Sequence, residues 1–353
     1  MIAILKREWK SYFQNNTGWL FIAAVLALYG LYFLAYNLRA GYPYVSYTLS
    51  AISFIMLIAV PILTMRSMAE ERHSRTDQLV LTAPVSLGKM IFGKFLAMVG
   101  VFTVAVAGIA VTPLVLAAFG TVPMGENYVA VLGFWLYGCT CIAVGMLASA
   151  LTESQVIAAV VAFAFLFLGY MMNSITGLIG DHLITKVLGA YDLYTPLQSF
   201  MSGCLDLTGV VYFVSVTALC LFLTCQCVQK RRWSMTTKKL TTGMFSVAMI
   251  VVGFAVAVAV NMVVKEMPSS WTAVDATSTK LYSLTDTTKD YVKNLSQDVT
   301  IYVLSSEKSA DSTLAETLQR YEDLSKHLNV VYKDPAKSPN FYQQYTDSAP
   351  SQN

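Results

Sequence analysis

Residues 70–89 read EERHSRTDQLVLTAPVSLGK and separate two long runs of apolar residues. The run before them, Tyr47–Thr64, and the run after them, Phe95–Phe119, contain no charged side chain. Both are close to or above the roughly 20 residues with which a helix crosses a bilayer. The polar segment therefore connects two membrane-spanning helices, either as a plain loop or as a surface that another protein grips.

Five further runs have the same character: Gly18–Leu38, Tyr128–Leu151, Val156–Ile179, Gly209–Val228 and Gly243–Val264. Of the 353 residues, 56% are hydrophobic and 13% are charged, against about 25% charged in soluble domains. The first run is too long for the apolar part of a cleaved signal peptide, so we interpret it as a retained anchor. The sequence predicts an α-helical polytopic membrane protein with about seven transmembrane helices.

The distribution of Lys and Arg predicts the orientation, because the cytoplasmic loops of membrane proteins are enriched in these residues. With the N-terminus in the cytoplasm, the short outer loops hold Arg39 and Lys186. The inner segments then hold Lys6, Arg7, Lys10, Arg66, Arg72, Arg75, Lys89, Lys94, Lys230, Arg231, Arg232, Lys238 and Lys239. We expect a multi-pass protein of a bacterial plasma or inner membrane, with a cytoplasmic N-terminus and an extracytoplasmic C-terminal tail.

Residues 2–14, IAILKREWKSYFQ, have the pattern of an amphipathic helix. The apolar residues recur at helical spacing and are Ile2, Leu5, Trp9, Tyr12 and Phe13. Such a helix lies along the membrane interface. The alternative, a charge cluster that only fixes topology, needs no apolar stripe. We expect a cytoplasmic interfacial helix over residues 1–17, with Lys6, Arg7, Trp9 and Lys10 as its interfacial residues.

The spans hold few groups that could perform chemistry. No ionisable group lies at mid-membrane, which argues against an ion-coupled transporter or pump, and no His-Glu-x-x-His sequence suggests an intramembrane metalloprotease. Cys225 and Cys227 could form a metal pair, but no His lies near them and packing is the favoured interpretation. Asp181 and His182 suit a loop surface better than a catalytic pair. We therefore expect no catalytic constellation and no metal site.

Three prolines interrupt the apolar regions. Pro61 and Pro113 fall inside the second and third spans, where each removes a backbone hydrogen bond and can kink its helix. The outer loop, residues 180–208, is apolar in patches and is divided by Pro196. This pattern suits two short re-entrant or interfacial helices, and a partly buried surface loop is the alternative.

The chain changes character after residue 264. DVTIYVLSS (298–306) and NVVYKDP (329–335) have the composition of strands, and Ser283-x-x-Asp286 has the pattern of a helix cap. Between the strands, DSTLAETLQRYEDLSKHL predicts an amphipathic helix whose apolar face holds Leu314, Leu318, Tyr321, Leu324 and Leu328. Strand, helix and strand predict a small α/β domain with a βαβ unit. Two strands cannot bury both faces, so the unit packs on another part of the assembly or belongs to a larger domain. We favour the second interpretation.

The segment between the second and third spans, residues 65–94, divides into helical pieces. Met65–His73 continues out of the second span, and Thr76 can cap a short helix that Pro84 ends. Ser86 then caps the next helix, which carries Lys89 and Lys94 at the lipid–water boundary. A short apolar helix across this face would suit docking into a groove on a soluble partner.

The stretch MAEERHSRTDQLVLTAPVSLGKMIFGKF (68–95) resembles the ABC-2 family of permeases. It has the family's order of an acidic pair, a basic residue, Thr, a Leu-rich stretch, Thr-x-Pro-Val-Ser and a Gly-Lys that opens the third span. The amphipathic start, the short turn between the fourth and fifth spans and the apolar outer loop fit as well. The family usually has Gly before the Thr, where this chain has Arg75. We expect that change to cost little in a helix.

The tail is similar to a second family. DATSTKLYSLTDTTKDYVKNLSQDVTIYVLSS (275–306) resembles the start of the auxiliary extracytoplasmic subunit of gliding-motility-type ABC transporters. The two resemblances imply a fusion of permease and auxiliary domain. The expected parts are the interfacial helix 1–17, a six-helix permease domain 18–228 that includes the coupling segment 65–94 and the outer loop 180–208, a basic linker 229–242, a seventh span 243–264 and an incomplete α/β domain 265–353.

The resemblance implies the permease subunit of an ABC exporter, which moves a substrate outward when a partner hydrolyses ATP. The chain has no Gly-x-x-x-x-Gly-Lys-[Ser/Thr] sequence, so ATP and Mg are expected on a separate cytoplasmic ABC ATPase and no cofactor on this chain. The expected partners are that ATPase, a second permease in a homo- or heterodimer, and membrane lipid, but not nucleic acid. The candidate docking residues are Glu70, Glu71, Arg72, Thr76, Leu79, Val80, Leu81 and Pro84.

Within this hypothesis the acidic pair and Arg72 orient the segment, while Leu79, Val80 and Leu81 fill the partner's groove. A solvated helix end is the alternative for Glu70, Glu71 and Arg72. The alternative function is an ATPase-driven envelope or gliding-motility-type mechanical complex without a transported substrate. Both functions use the docking segment. They differ in whether the spans form a pathway through which a substrate crosses the membrane.

Overall fold

The structure is a computed structural model. It describes residues 2–75, 86–179, 189–233, 239–265, 267, 272–276, 286–295, 297–305, 312–335 and 341–345. The chain forms two compact units, Met1–Glu266 and Met267–Asn353. The first unit is mostly helical, and the second contains the parallel strand pair described below.

Within the described ranges, seven helices are long and apolar enough to cross a membrane. They are Thr17–Arg39, Ser46–His73, Leu87–Ala117, Met124–Leu151, Gln155–Ile179, Leu207–Gln229 and Ala248–Lys265. Each corresponds to one of the seven apolar runs, so the chain is a multi-pass membrane protein. The third helix begins at Leu87, with the predicted cap Ser86 at its N-cap position, although the uncharged run starts only at Phe95. Lys89 and Lys94 therefore lie inside this helix, as predicted.

The first unit contains the following elements. They are α1 (Ile2–Gln14), α2 (Thr17–Phe33) with a π-helical continuation (Leu34–Arg39), α3 (Ser46–Thr64), α4 (Arg66–His73), α5 (Leu87–Ala110), α6 (Thr112–Ala117), α7 (Met124–Leu151), α8 (Gln155–Ile179), a 3₁₀ turn (Gly189–Tyr191), α9 (Tyr194–Met201), β1 (Cys204–Asp206), α10 (Leu207–Trp233) and α11 (Lys239–Lys265). α1 has the bounds that the amphipathic pattern predicts.

The prolines act differently at their three positions. α3 continues past Pro61 to Thr64, whereas the third span is interrupted just before Pro113, which lies in the first turn of α6. Pro196 also lies in a first turn, that of α9, where a missing N–H breaks no intrahelical hydrogen bond. α9 is one of the two short helices predicted for this loop, and its division from the other at Pro196 stays a prediction. The preceding stretch of that loop, residues 180–188, lies outside the described residues.

Two buried asparagines fold the connection between α2 and α3. The Asn37 amide donates to the carbonyls of Tyr42 and Tyr44, at 2.8 and 3.0 Å, and its oxygen accepts a hydrogen bond from Thr48 at 2.7 Å. Asn127 of α7 donates to the Pro43 carbonyl at 3.0 Å and accepts the Val45 N–H at 2.8 Å. These bonds satisfy backbone groups that have no helical partner in the turn.

α7 forms the centre of the membrane unit. In the most apolar stretch of α7, 83% of the residues are buried, whereas in the corresponding stretch of α11 the share is 0%. Close approach depends on glycines: a Cβ at Gly133, Gly138 or Gly145 would overlap Phe200, Phe102 or Thr64 respectively. Small residues at such contacts let membrane helices pack closely. α11 lies at the periphery of this packing.

The second unit contains β2 (Ala273–Asp275), α12 (Asp286–Lys293), β3 (Val299–Val303), α13 (Ser312–Leu324), β4 (Leu328–Tyr332) and a 3₁₀ turn (Phe341–Gln344). β3 and β4 pair in parallel, with Val299 opposite Leu328, and α13 connects them. Leu328 was expected on the helix face, but it is the first residue of β4 and is buried there, 5% exposed. Ser283, the predicted cap, lies outside the described residues.

Candidate functional site

The candidate site is the end of the membrane unit where α1, α4 and the start of α5 meet. α4 follows α3 after a single intervening residue, Met65. Ser149 of α7 holds this joint: its hydroxyl donates to the Met65 carbonyl at 3.0 Å and accepts the N–H groups of Met68 and Ala69 at 3.1 Å each. The first N–H groups of a helix have no partner within the helix. A side chain from α7 therefore caps α4 and fixes where it leaves the span.

Lys94 is enclosed by protein. Its side chain is 3% exposed, and its Nζ lies 2.6 Å from the Glu71 carboxylate and 3.8 Å from that of Glu8. It also donates to the Ser67 carbonyl at 2.9 Å. The prediction that Lys94 lies at the lipid–water boundary is wrong, because its side chain is enclosed between α1 and α4. A buried ammonium group needs such partners, since an unpaired charge is costly away from water.

Arg7 joins the same group of charges. Its guanidinium lies 2.6 Å from Glu8 and 3.5 Å from Glu71. The hydrogen bond to Glu8 raises the pKa of Arg7 above its ordinary value. We call Arg7, Glu8, Glu71 and Lys94 the Lys94 cluster. It connects the N-terminal helix, the helix that leaves the second span, and the third span.

Further ion pairs flank the cluster on α4. Arg66 makes two hydrogen bonds to Glu70, both at 2.8 Å. Arg72 lies 2.6 Å from Glu153 and donates to the Leu151 carbonyl at 3.3 Å, which connects α4 to the turn between α7 and α8. α4 is therefore attached on one side to α1 and α5 through Glu71, and on the other to the α7–α8 turn through Arg72.

The backbone at the end of α4 corrects one expectation. The helix ends at His73, and Arg75 has a φ of 58°, with its N–H bonded to the Arg72 carbonyl at 3.2 Å. This left-handed conformation just past a helix is the one that glycine most often adopts. Arg75, where the family usually has Gly, therefore lies outside a helix. The helical position assumed for this substitution is wrong, and its cost stays a prediction.

The predicted docking residues divide into two groups. Glu70, Glu71 and Arg72 lie on α4 with the ion pairs given above. Thr76, Leu79, Val80, Leu81 and Pro84 lie outside the described residues, so their role stays a prediction. On the N-terminal helix, Lys6 and Lys10 are exposed. The Trp9 ring occupies the space that a Cβ at Gly100 of α5 would need.

Sequence reasoning missed Glu8 and Ser149 as residues of this site. It also missed that the Lys94 side chain is buried inside the protein. Lys94 carried a detectable signal, because it stands directly before an uncharged run. Glu8 and Ser149 carried none, since their partners lie on other helices. Among the described residues, no group of three or more His, Cys, Asp or Glu side chains is placed to hold a metal ion.

Comparison with known proteins identifies two families. A family model described as ABC-2 family transporter protein matches residues 39–228, more than half of the chain. A domain of unknown function, DUF7088, matches residues 278–352. No curated protein and no solved structure matched the chain. Because the first match covers most of the spans and the whole of α4, the chain belongs to the ABC-2 family of transporter proteins.

Proposed function

We propose that this chain is the permease subunit of an ABC exporter, which moves a substrate outward using ATP hydrolysed by a separate subunit. Membership of the ABC-2 family supports this, because its permease domains are typically non-catalytic membrane components that work with a cytoplasmic ABC ATPase. ATP and Mg then bind to the partner. The predicted docking residues on this chain are those of α4 and of the segment up to Pro84.

The attachment of α4 is the observation that carries the proposal. A force on the segment after residue 66 would reach α1 and α5 through Glu71. It would reach the α7–α8 turn through Arg72, and the joint at Met65 through Ser149. A rigid element with attachments to several spans can convert nucleotide-driven closure of a partner into a rearrangement of those spans.

The topology is part of the proposal. Cytoplasmic docking requires α1 and α4 on the cytoplasmic side, which agrees with the excess of Lys and Arg there. Seven spans then place the second unit on the outer side. We propose that this unit is an extracytoplasmic accessory domain, and that two permease subunits, identical or different, assemble with two ATPase subunits.

Docking can be tested with charge substitutions in the predicted docking helix. The double variant Leu79→Asp/Leu81→Asp should insert normally but lose co-purification with the ATPase, because two charges cannot enter an apolar groove unpaired. The matched control, Gln78→Asp/Thr82→Asp, adds the same charges at neighbouring polar positions and should retain the ATPase. Normal co-purification of the leucine variant would refute the docking proposal.

The resemblance of the tail to a gliding-motility-type subunit favours one second candidate, a mechanical complex without a transported substrate. The two functions differ in the response of the ATPase to a carried molecule. We expect the complex purified from native membranes to contain a bound small molecule that raises the rate of ATP hydrolysis. An ATPase rate that responds to no extracted molecule would favour the mechanical complex.

A further inference from the structure

A groove opens between the N-terminal helix and the third span. Its walls are Leu5, Lys6 and Trp9 of α1 and Leu96 of α5, and its volume is about 380 Å³. This lies within the roughly 300–1,000 Å³ of typical small-ligand pockets. Two leucines, a tryptophan ring and the aliphatic stem of a lysine form an apolar lining with one cationic group.

The cations of α1 divide into two kinds. Arg7 is exposed but is paired with the Glu8 and Glu71 carboxylates. Lys6 and Lys10 are exposed, and across the described part of the chain no carboxylate lies within ion-pair distance of either. Residues four apart share one side of a helix, so these two ammonium groups project together. Leu5 and Trp9, also four apart, form the adjacent apolar wall.

The combination matches one ligand chemistry. An interfacial helix meets acyl chains on one side and headgroups on the other, and anionic lipids attract basic side chains at the membrane surface. We propose that the groove binds one anionic phospholipid, with an acyl chain against Leu5, Trp9 and Leu96 and the headgroup phosphate at Lys6 and Lys10. The site holds α1 in place by a ligand, in addition to the ion pairs of the Lys94 cluster. Lipid binding in this groove does not depend on the proposed transport function.

A peptide segment from another protein fits the groove less well. An extended peptide bound along a surface uses hydrogen bonds to its backbone, and a bound helix uses several apolar anchors spread over two turns. Among the described lining residues the Lys6 ammonium is the only charged group and no side chain offers a hydrogen-bond acceptor, which suits a phosphate rather than a run of amides. The acyl chain of a lipid has no polar group, so its burial against the apolar walls leaves no hydrogen bond unmade.

Native mass spectrometry of the full chain in uncharged detergent tests the site. Phosphatidylglycerol is the probe, and phosphatidylcholine is the zwitterionic reference. We expect one tightly retained phosphatidylglycerol per chain. The variant Lys6→Gln/Lys10→Gln should weaken its retention about 25-fold, roughly fivefold for each charge, and should leave phosphatidylcholine unchanged. The control Arg39→Gln removes an exposed cation beyond the other end of α2 and should change neither lipid.

A second variant tests the apolar part. Leu96→Trp fills the groove without altering charge and should reduce retention of both lipids, while Leu96→Ile keeps the volume and should retain them. Wild-type retention of phosphatidylglycerol by the Lys6→Gln/Lys10→Gln variant would overturn the proposal. Loss of ATPase co-purification by that variant with unchanged lipid retention would also overturn it, since the occupant would then be a protein.

Discussion

Replacing Glu71 with Gln should destabilise the membrane unit by about 3 kcal/mol. The Lys94 side chain is 3% exposed and that of Glu71 is 20% exposed, so the pair is largely removed from water. Removing one partner of a buried ion pair costs roughly 3–5 kcal/mol, because the other charge stays enclosed. Glu8 at 3.8 Å and the Ser67 carbonyl at 2.9 Å remain beside Lys94, and we therefore expect the lower end of that range.

The companion variant Lys94→Met should cost less, about 1–2 kcal/mol. It leaves Glu71 partly exposed and 3.5 Å from Arg7, so no enclosed charge loses every partner. In the double variant the enclosed charge is absent, and Glu71→Gln should then have little further effect. The coupling energy between the two positions should therefore be about 3 kcal/mol, at the upper end of the range for residues in direct contact.

The assay is equilibrium unfolding of the purified chain in mixed micelles, by titration with SDS. The matched control is Glu153→Gln, which makes the same chemical change in the Arg72 pair, where Glu153 is 63% exposed. An exposed pair of this kind is worth about 0.2–1 kcal/mol. If Glu71→Gln cost no more than Glu153→Gln, or if the double-mutant cycle gave no coupling, the enclosed Lys94–Glu71 pair would be refuted.

Three further changes test the surroundings of this pair in the same unfolding assay. Arg75→Gly should stabilise the chain by about 0.5–1 kcal/mol because φ is positive there, whereas Arg75→Ala should give no gain; equal effects would contradict the left-handed conformation. Gly100→Ala should destabilise by about 1–3 kcal/mol by displacing the Trp9 ring, while Gly30→Ala, which meets nothing within 4 Å, should be neutral or stabilising. Ser149→Ala should cost about 1–3 kcal/mol because it removes the partner of two N–H groups; a neutral result would show that α4 is capped in another way.

The seven spans could be predicted from the sequence because lipid imposes one solution on an apolar run. Every backbone N–H and C=O must be satisfied inside the segment, so the run becomes a helix. Tyr128–Leu151 and Val156–Ile179 accordingly match α7 and α8 within a few residues. The N-terminal helix was predictable for the related reason that its apolar stripe has the helical period.

What the sequence could not predict depends on contacts between distant residues. Lys94 looks like a boundary charge until α1 and α4 are packed beside it, since its carboxylate partners belong to other helices. Arg75 adopts a left-handed backbone conformation that its own residue type does not indicate, although the Gly usual at this position in the family does. Leu328 continues the four-residue spacing from Leu324, and the periodicity therefore extended the helix into what is a turn and a strand.

The Lys94 cluster has a consequence for biogenesis. A nascent chain emerges from the ribosome N-terminus first, so Arg7 and Glu8 reach the bilayer surface while Lys94 is still being synthesised. The cluster forms only when the third span is inserted and the Lys94 ammonium group contacts the carboxylates of Glu8 and Glu71, which are synthesised earlier. Assembly of this end of the protein is thus postponed until α1, α4 and the third span are present together.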